Sequence, residues 1–222
     1  LIDYEELMHS QLIILDQLNE VSRALTQRLE NYIKKGGNLF IFLNPNANID
    51  SYNSLFQLIN TDFISKWITN ENKLEVINYR NDLFKNVFKR KNDNINLPVV
   101  NNYFKIQENK NAQKREVLKF TNDDPFLAEY LYGKGHIFLV FSDLDRKHNN
   151  FAEHALFVPC IYNSVIMHLK NRNIYHVIKN ETIIEQNNIE KSDIIHLKKD
   201  VFFDMIPKTI FSDQKTLINF EN

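Results

Sequence analysis

The sequence is poor in the residues that most often announce chemistry or unusual architecture. One cysteine among 222 residues, Cys160, excludes an internal disulfide and any zinc site built from several thiolates. Four glycines and five prolines argue against a low-complexity linker, and neither a Walker A loop nor a dinucleotide-binding fingerprint is present. Charge of one sign is missing as well. The 27 basic and 28 acidic residues leave a formal net charge of −1, so no global field draws the chain to nucleic acid or to an anionic membrane. No apolar run approaches the roughly 18–20 residues of a membrane span, and no signal peptide is visible. That describes only the stretch from Leu1 to Asn222, which is expected to be a piece of a longer protein whose anchors lie elsewhere.

What is present is apolar bulk: 43% hydrophobic residues with 17 Phe and 9 Tyr, enough for a substantial core. Its distribution is ordered. An apolar run at 11–15, an amphipathic run from Ser22 to Lys35, the pair Gly36-Gly37 and a second apolar run at 38–43 predict a βαβ unit of a parallel sheet buried on both faces. Leu25, Leu29 and Ile33, with Val21, Ala24 and Tyr32, form the inner stripe of the helix. Ser22 is its predicted N-cap, Lys34 and Lys35 suit the negative end of its dipole, and Gly36 supplies the left-handed residue that ends it.

A second helix is predicted over 48–59, with Asp50 as N-cap and Tyr52, Leu55, Phe56 and Ile59 facing inward. Strands are predicted at 73–79, 99–106, 116–121, 126–132 and 136–141, a short helix at 82–88, and a polar loop at 89–96. Asn122 to Pro125 and Gly133-Lys134-Gly135 read as hairpin turns, so the last three strands form an antiparallel meander beside the parallel core. A helix follows from about Pro159 to Lys170. Residues 1–172 therefore read as an α/β domain with a mixed sheet and helices on both faces. Short runs at 174–178, 182–185, 193–197, 201–203 and 217–220 predict a β-rich appendage over 173–222.

Open α/β sheets bind ligands at the carboxyl ends of their parallel strands. Asp16 and Asn44 close the first two strands, and Ser142-Asp143-Leu144-Asp145 follows the strand ending at 141. Asp16, Asn44, Ser142, Asp143 and Asp145 are the candidate ligand-binding set, although Asp and Asn at strand ends also serve simply to cap turns. A nucleophile elbow needs Ser or Cys on a sharp strand-to-helix turn, and Asn44-Pro45-Asn46-Ala47 offers neither. Cys160 sits on an apolar helix face and reads as a core thiol; a redox role would need it exposed and acidic. Asp143, Asp145, His148 and His154 match no established metal-ligand spacing, so no metal or other cofactor is expected.

Several stretches resemble a known family. Tyr4-Glu5-Glu6-Leu7 with the strand at 12–15, the run from Leu29 to Leu39, Asn122 to Leu127, and Gly133-Lys134-Gly135 resemble class I glutamine amidotransferase-like domains. Ser142 to Asp145, Asn150-Phe151 and His154 to Pro159 resemble the soluble region of membrane-anchored proteins of the aerotolerance-regulator (Bat) type. The resemblance covers residues 4–170 and is most specific over 142–159. It implies a flavodoxin-like fold. Amidotransferases of the family use a Cys-His-Glu triad, but this sequence lacks the elbow Cys and a His-x-Glu pair placed to serve it. The implied function is a non-catalytic interaction or scaffold domain of a larger membrane-anchored cell-envelope protein. The resemblance places it in the periplasm beside von Willebrand A-like partners, with the cytoplasmic face as the other compartment to consider. Small-molecule or carbohydrate binding at the strand ends, hydrolysis included, is the alternative.

Overall fold

The βαβ unit opens the sheet. The structure is a computed structural model that describes residues 9–69, 72–88, 96–169, 182–186, 194–198, 204–211 and 216–220. Strand β1 (Leu12–Asp16) runs parallel to β2 (Asn38–Phe42), with Leu12 opposite Asn38 and Asp16 opposite Phe42. Helix α1 (Arg23–Lys34) joins them, capped by Ser22, whose Oγ accepts the Leu25 N–H at 3.3 Å. Leu29 and Ile33 are wholly buried, but Ala24 is exposed and Thr26 takes an inward place. The stripe is rotated because α1 packs against helix α2 (Ile49–Leu58) as well as against the sheet.

In α2 the N-cap is Asn48 rather than Asp50: the Asn48 side chain accepts the Ser51 N–H at 3.2 Å. Asp50 lies in the first turn, where its charge meets the positive end of the dipole. Tyr52, Leu55, Phe56 and Ile59 are all buried.

The chain then forms β3 (Phe63–Ile68), β4 (Asn72–Ile77), β5 (Val99–Val100), β6 (Tyr103–Gln107), β7 (Gln113–Phe120), β8 (Pro125–Tyr132) and β9 (Gly135–Val140). The main sheet has seven strands in the order β1-β2-β9-β8-β7-β4-β5. Strand β9 is parallel to β2, while β8, β7, β4 and β5 continue antiparallel. The expected single strand over 99–106 is broken at Asn101-Asn102, whose N–H groups donate to the His148 carbonyl (2.7 and 3.2 Å). Its second half, β6, instead pairs with β3 in a separate two-stranded ribbon. The expected helix at 82–88 is a single 3-10 turn, Asp82–Phe84. Helix α3 (Phe157–Leu169) starts two residues before Pro159, so the proline occupies the first turn, where no intrahelical N–H is required.

Helices α1 and α2 cover one face of the sheet over Leu39, Ile41, Ile137 and Leu139. Helix α3 covers the other over Phe40, Phe42, Phe138 and Val140. Consecutive residues of β2 thus enter opposite layers, and all five are buried. The architecture is α/β with a mixed sheet and helices on both faces.

All four glycines gather at one place, the approach of α1 to the β8–β9 hairpin. Gly36 has φ +110°, a conformation costly for a residue with a Cβ. A Cβ on Gly135 would collide with the carbonyl oxygens of Gly37 and Ile33, and one on Gly133 with the Lys34 backbone. Here the Lys134 N–H donates to the Lys34 carbonyl at 3.3 Å.

The chain divides into two compact units, residues 1–171 and 172–222. In the second, β10 (Thr182–Gln186) pairs antiparallel with β14 (Thr216–Phe220), which also pairs with β13 (Lys208–Phe211). The short strands β11 (Leu197–Lys198) and β12 (Asp204–Met205) form a further antiparallel pair. The strands expected at 174–178 and 201–203 and most of the loop expected at 89–96 lie outside the described residues. Among the described residues no helix is long and apolar enough to cross a membrane.

Two outcomes follow from this packing. Gly135→Ala should lower unfolding stability by about 2 kcal/mol through overpacking against backbone, read from urea unfolding. The second concerns pH. Burial raises the Tyr32 and Tyr52 phenols to about 12, and burial next to the Asp62 charge raises Tyr130 further. The unfolded chain releases these protons near pH 10 while the folded chain keeps them. Their contribution is therefore complete below pH 10 and lost as pH rises through 12, so urea midpoints should fall steadily above pH 10.

Candidate functional site

Because β1, β2 and β9 are neighbours and parallel, their carboxyl ends form a row. The Gln17 N–H donates to the Phe42 carbonyl (3.0 Å) and the Leu43 N–H to the Ser142 carbonyl (3.1 Å), which ties the three ends together. The five sequence candidates lie along this row, but their side chains are directed differently. Asp16 is exposed and, among the described residues, accepts only from its neighbour, Gln17 Nε2. Asn44 donates to the Gln17 carbonyl (3.1 Å) and Asn19 Oδ1 (2.8 Å), and accepts the Asn46 N–H (2.8 Å). It holds two loops.

Ser142 and Asp143 are buried, at 0% and 2% exposure. Ser142 Oγ donates to the Asn102 carbonyl (2.7 Å) and accepts from Asn149 Nδ2 (3.0 Å). Asp143 Oδ2 lies 2.6 Å from His148 Nδ1, and Oδ1 accepts the Asp145 N–H (3.3 Å). Asp145 is exposed and accepts the Lys147 N–H (2.9 Å). The loop from 142 to 149 therefore closes on itself, with Asn149 Nδ2 also donating to the Asp143 carbonyl (2.8 Å).

His148, which the sequence offers only within a set that matches no metal-ligand spacing, and Trp67 belong to the site although neither is in the candidate ligand-binding set. The His148 ring meets Trp67 edge to face, with centroids 5.4 Å apart, and Trp67 meets Phe104 in the same manner. The imidazole is a quarter exposed, and its Nε2 has no hydrogen-bond partner among the described residues. A buried carboxylate orienting an imidazole is two-thirds of a hydrolytic triad. Among the described residues no hydroxyl or thiol is hydrogen-bonded to the imidazole, and the neighbouring Ser142 hydroxyl donates to the Asn102 carbonyl instead. The only signal in the sequence is an Asp followed five residues later by His in a loop after a strand, and Trp67 lies in a segment without clear periodicity. Among the described residues, no three His, Cys, Asp or Glu side chains cluster to hold a metal ion.

The Asp143–His148 pair has counterparts. Asp62, 1% exposed, accepts from Tyr130 Oη (2.9 Å) and the Asn109 N–H (2.9 Å) and pairs with Lys114 Nζ (3.0 Å). Glu129, also 1% exposed, accepts from Asn81 Nδ2 (2.6 Å) and lies 2.7 Å from His136 Nδ1. Asp124 accepts from Tyr103 Oη (2.9 Å) and pairs with Lys105 (3.2 Å). Each carboxylate joins segments that are distant along the chain or adjacent in the sheet. Buried carboxylates are a structural device throughout this domain, satisfied by partners as desolvation requires.

Helix α3 has no charged side chain from Phe157 to Met167. Cys160, Ser164 and Met167 face the sheet, whereas Val158 and Tyr162 are 70% and 63% exposed. Beside them runs a groove of about 650 Å³ lined by Lys85, Val87, Val158, Pro159, Tyr162 and Ile166. Cys160 itself is wholly buried, and burial pushes its thiol up to about 12.

No protein-family model and no curated protein matches the chain. Solved structures share its fold. The cytoplasmic protein STM3548 of Salmonella typhimurium superposes with a TM-score of 0.57 at 14% identity, covering 74% of each chain. The cytoplasmic protein STM1381 of Salmonella typhimurium LT2 gives 0.56 at 13% identity, again over 74% of each. The mmIFT52 N-terminal domain gives 0.52 at 14% identity, over 78% of this chain and 83% of that one. Identities this low establish a common fold and nothing about activity.

Two substitutions separate the buried and exposed carboxylates. Asp143→Ala should cost about 3 kcal/mol, because it strands the His148 ring and the loop donors around it, while Asp145→Ala should stay within about 0.5 kcal/mol; both are read from urea unfolding. The buried, weakly acidic Cys160 should react with a thiol-specific reagent no faster than the chain unfolds. Labelling of the native protein at the rate of a free thiol would contradict its placement.

Proposed function

We propose that this chain is a flavodoxin-like, glutamine amidotransferase-like domain that has no catalytic role and acts by binding another protein. The observation that carries this reading is the state of the strand ends. Where such sheets place a ligand, Ser142, Asp143 and Asn44 are engaged by the domain's own loops, and no nucleophile stands beside the imidazole. The uncharged outer face of α3 supplies the complementary support, since exposed apolar patches with a polar rim mark interaction sites. Its occupant in this proposal is a partner protein presenting apolar side chains, with an acidic group to meet Lys85 at the rim. The resemblance to Bat-type proteins extends the reading to a scaffold domain of a membrane-anchored envelope protein, with von Willebrand A-like proteins as the partners to test. The periplasmic side follows from that resemblance alone, and a topology reporter fused to the full-length protein checks it.

The test has two parts. Purified protein should show no hydrolysis of chromogenic ester, amide or glycoside substrates above a heat-denatured control. Photo-crosslinkers placed at Val158 and Tyr162 in cells should trap von Willebrand A-like proteins encoded in the same genome, while one at Gln57 should not. Absence of any adduct from both α3 positions would sink the interaction reading.

A second reading, small-molecule or carbohydrate binding with hydrolysis, is favoured by one observation: the partly exposed His148 held between Asp143 and Trp67. Hydrolysis of any test substrate that disappears in His148→Ala and survives in His136→Ala would replace the first reading with this one.

A further inference from the structure

The cleft between α1 and α2 adjoins the loops that follow β1 and β2 and lies on the face of the sheet opposite α3. It measures about 470 Å³, within the range of small-ligand sites. Its walls hold Val21, Arg23 and Thr26 on one side and Ser51, Ser54 and Leu58 on the other, and no carboxylate lines it.

The hydroxyls differ in one respect. Ser51 Oγ donates to the Asn48 carbonyl (2.9 Å) and accepts the Val21 N–H (3.2 Å), and Ser54 Oγ donates to the Asp50 carbonyl (2.8 Å). Thr26 is only 7% exposed, and its hydroxyl makes no hydrogen bond with any described residue. A helical threonine can bond back to the carbonyl four residues earlier. Here the Ser22 carbonyl receives only the Thr26 N–H, at 2.9 Å. Leaving a buried hydroxyl unpaired is unfavourable, and the cleft contains a polar group that lacks a partner among the described residues.

Arg23 stands one turn away at the first position of α1, where the helix dipole adds positive potential. Its guanidinium forms no ion pair with a described residue. The apolar part of the wall is Val21, which is buried, and Leu58, which is 42% exposed, and the exposed Gln27 completes the lining.

We propose that the α1–α2 cleft binds a small organic carboxylate. Arg23 takes the carboxylate through paired N–H groups, the Thr26 hydroxyl donates to one of its oxygens, and the apolar body lies against Val21 and Leu58. This site is independent of protein binding at α3, so either assignment can fail without the other.

The experiment titrates the complete isotope-labelled 222-residue chain with benzoate and, separately, with inorganic phosphate, following backbone amide resonances. Benzoate should shift amides at 21–27 and 51–58 in a saturable manner. Arg23→Gln should weaken this binding about tenfold or more, and Thr26→Val about fivefold. Thr26→Val should also raise the Tm of the unliganded chain by about 2–4 °C, because it removes an unpaired buried hydroxyl while keeping the side-chain shape. A lower Tm would show that the hydroxyl supports the fold and would overturn the proposal. So would shifts confined to other regions, no saturation at millimolar benzoate, or equal binding of phosphate, which would remove any role for the apolar wall.

Discussion

The fold depends on a single close contact between backbones: the end of α1 against the turn between β8 and β9. The βαβ unit alone is a two-stranded fragment with one helix. It becomes the parallel half of a seven-stranded sheet only because β9 enters beside β2, and β9 can do so only if its first residue comes up against the carbonyls of Ile33 and Gly37. A side chain at Gly135 would hold those segments apart. The chain has four glycines and places all of them here, two ending the helix and two in the hairpin turn. Glycine is the costliest residue to order, and its restriction to this junction is consistent with a steric need.

The second constraint follows from the first. Once β2, β9 and β8 lie between helical layers, every polar group on or beside them must be satisfied from within the protein. Asp62, Glu129 and Asp143 meet that demand through Tyr130 and Lys114, through His136 and Asn81, and through His148. The same demand accounts for the closed loop from 142 to 149. This strand-end loop turns its serine and aspartate into the domain. The arrangement presents an imidazole at the surface, oriented by Asp143 and packed against Trp67.

Much of the fold was legible in advance because its signals are local. Ser22 caps α1, Tyr52 to Ile59 form the buried face of α2, and the β7–β8–β9 meander follows its turn residues. The errors were also physical. Asp50 and Asn48 are both competent caps two residues apart, and the choice between them belongs to the geometry of the preceding turn. The run from Val99 to Ile106 carries the pair Asn101-Asn102 between its apolar halves, and that pair is where the chain leaves the sheet edge to bond with the His148 carbonyl; reading the eight residues as one strand passed over it. Thr26 lies outside the predicted inner stripe of α1. It is buried because α2 lies against that side.

For the candidate site, residue types were readable and directions were not. The sequence by itself determined an α/β domain with polar residues after its parallel strands, no elbow nucleophile and a core-type cysteine, since these follow from periodicity, spacing and the residues that are missing. Only the tertiary structure decided that Ser142 and Asp143 face inward, that His148 pairs with Asp143 against Trp67, and that Thr26 and Arg23 share a cleft. Those contacts join elements far apart along the chain, and periodicity within one element carries no information about what packs against it.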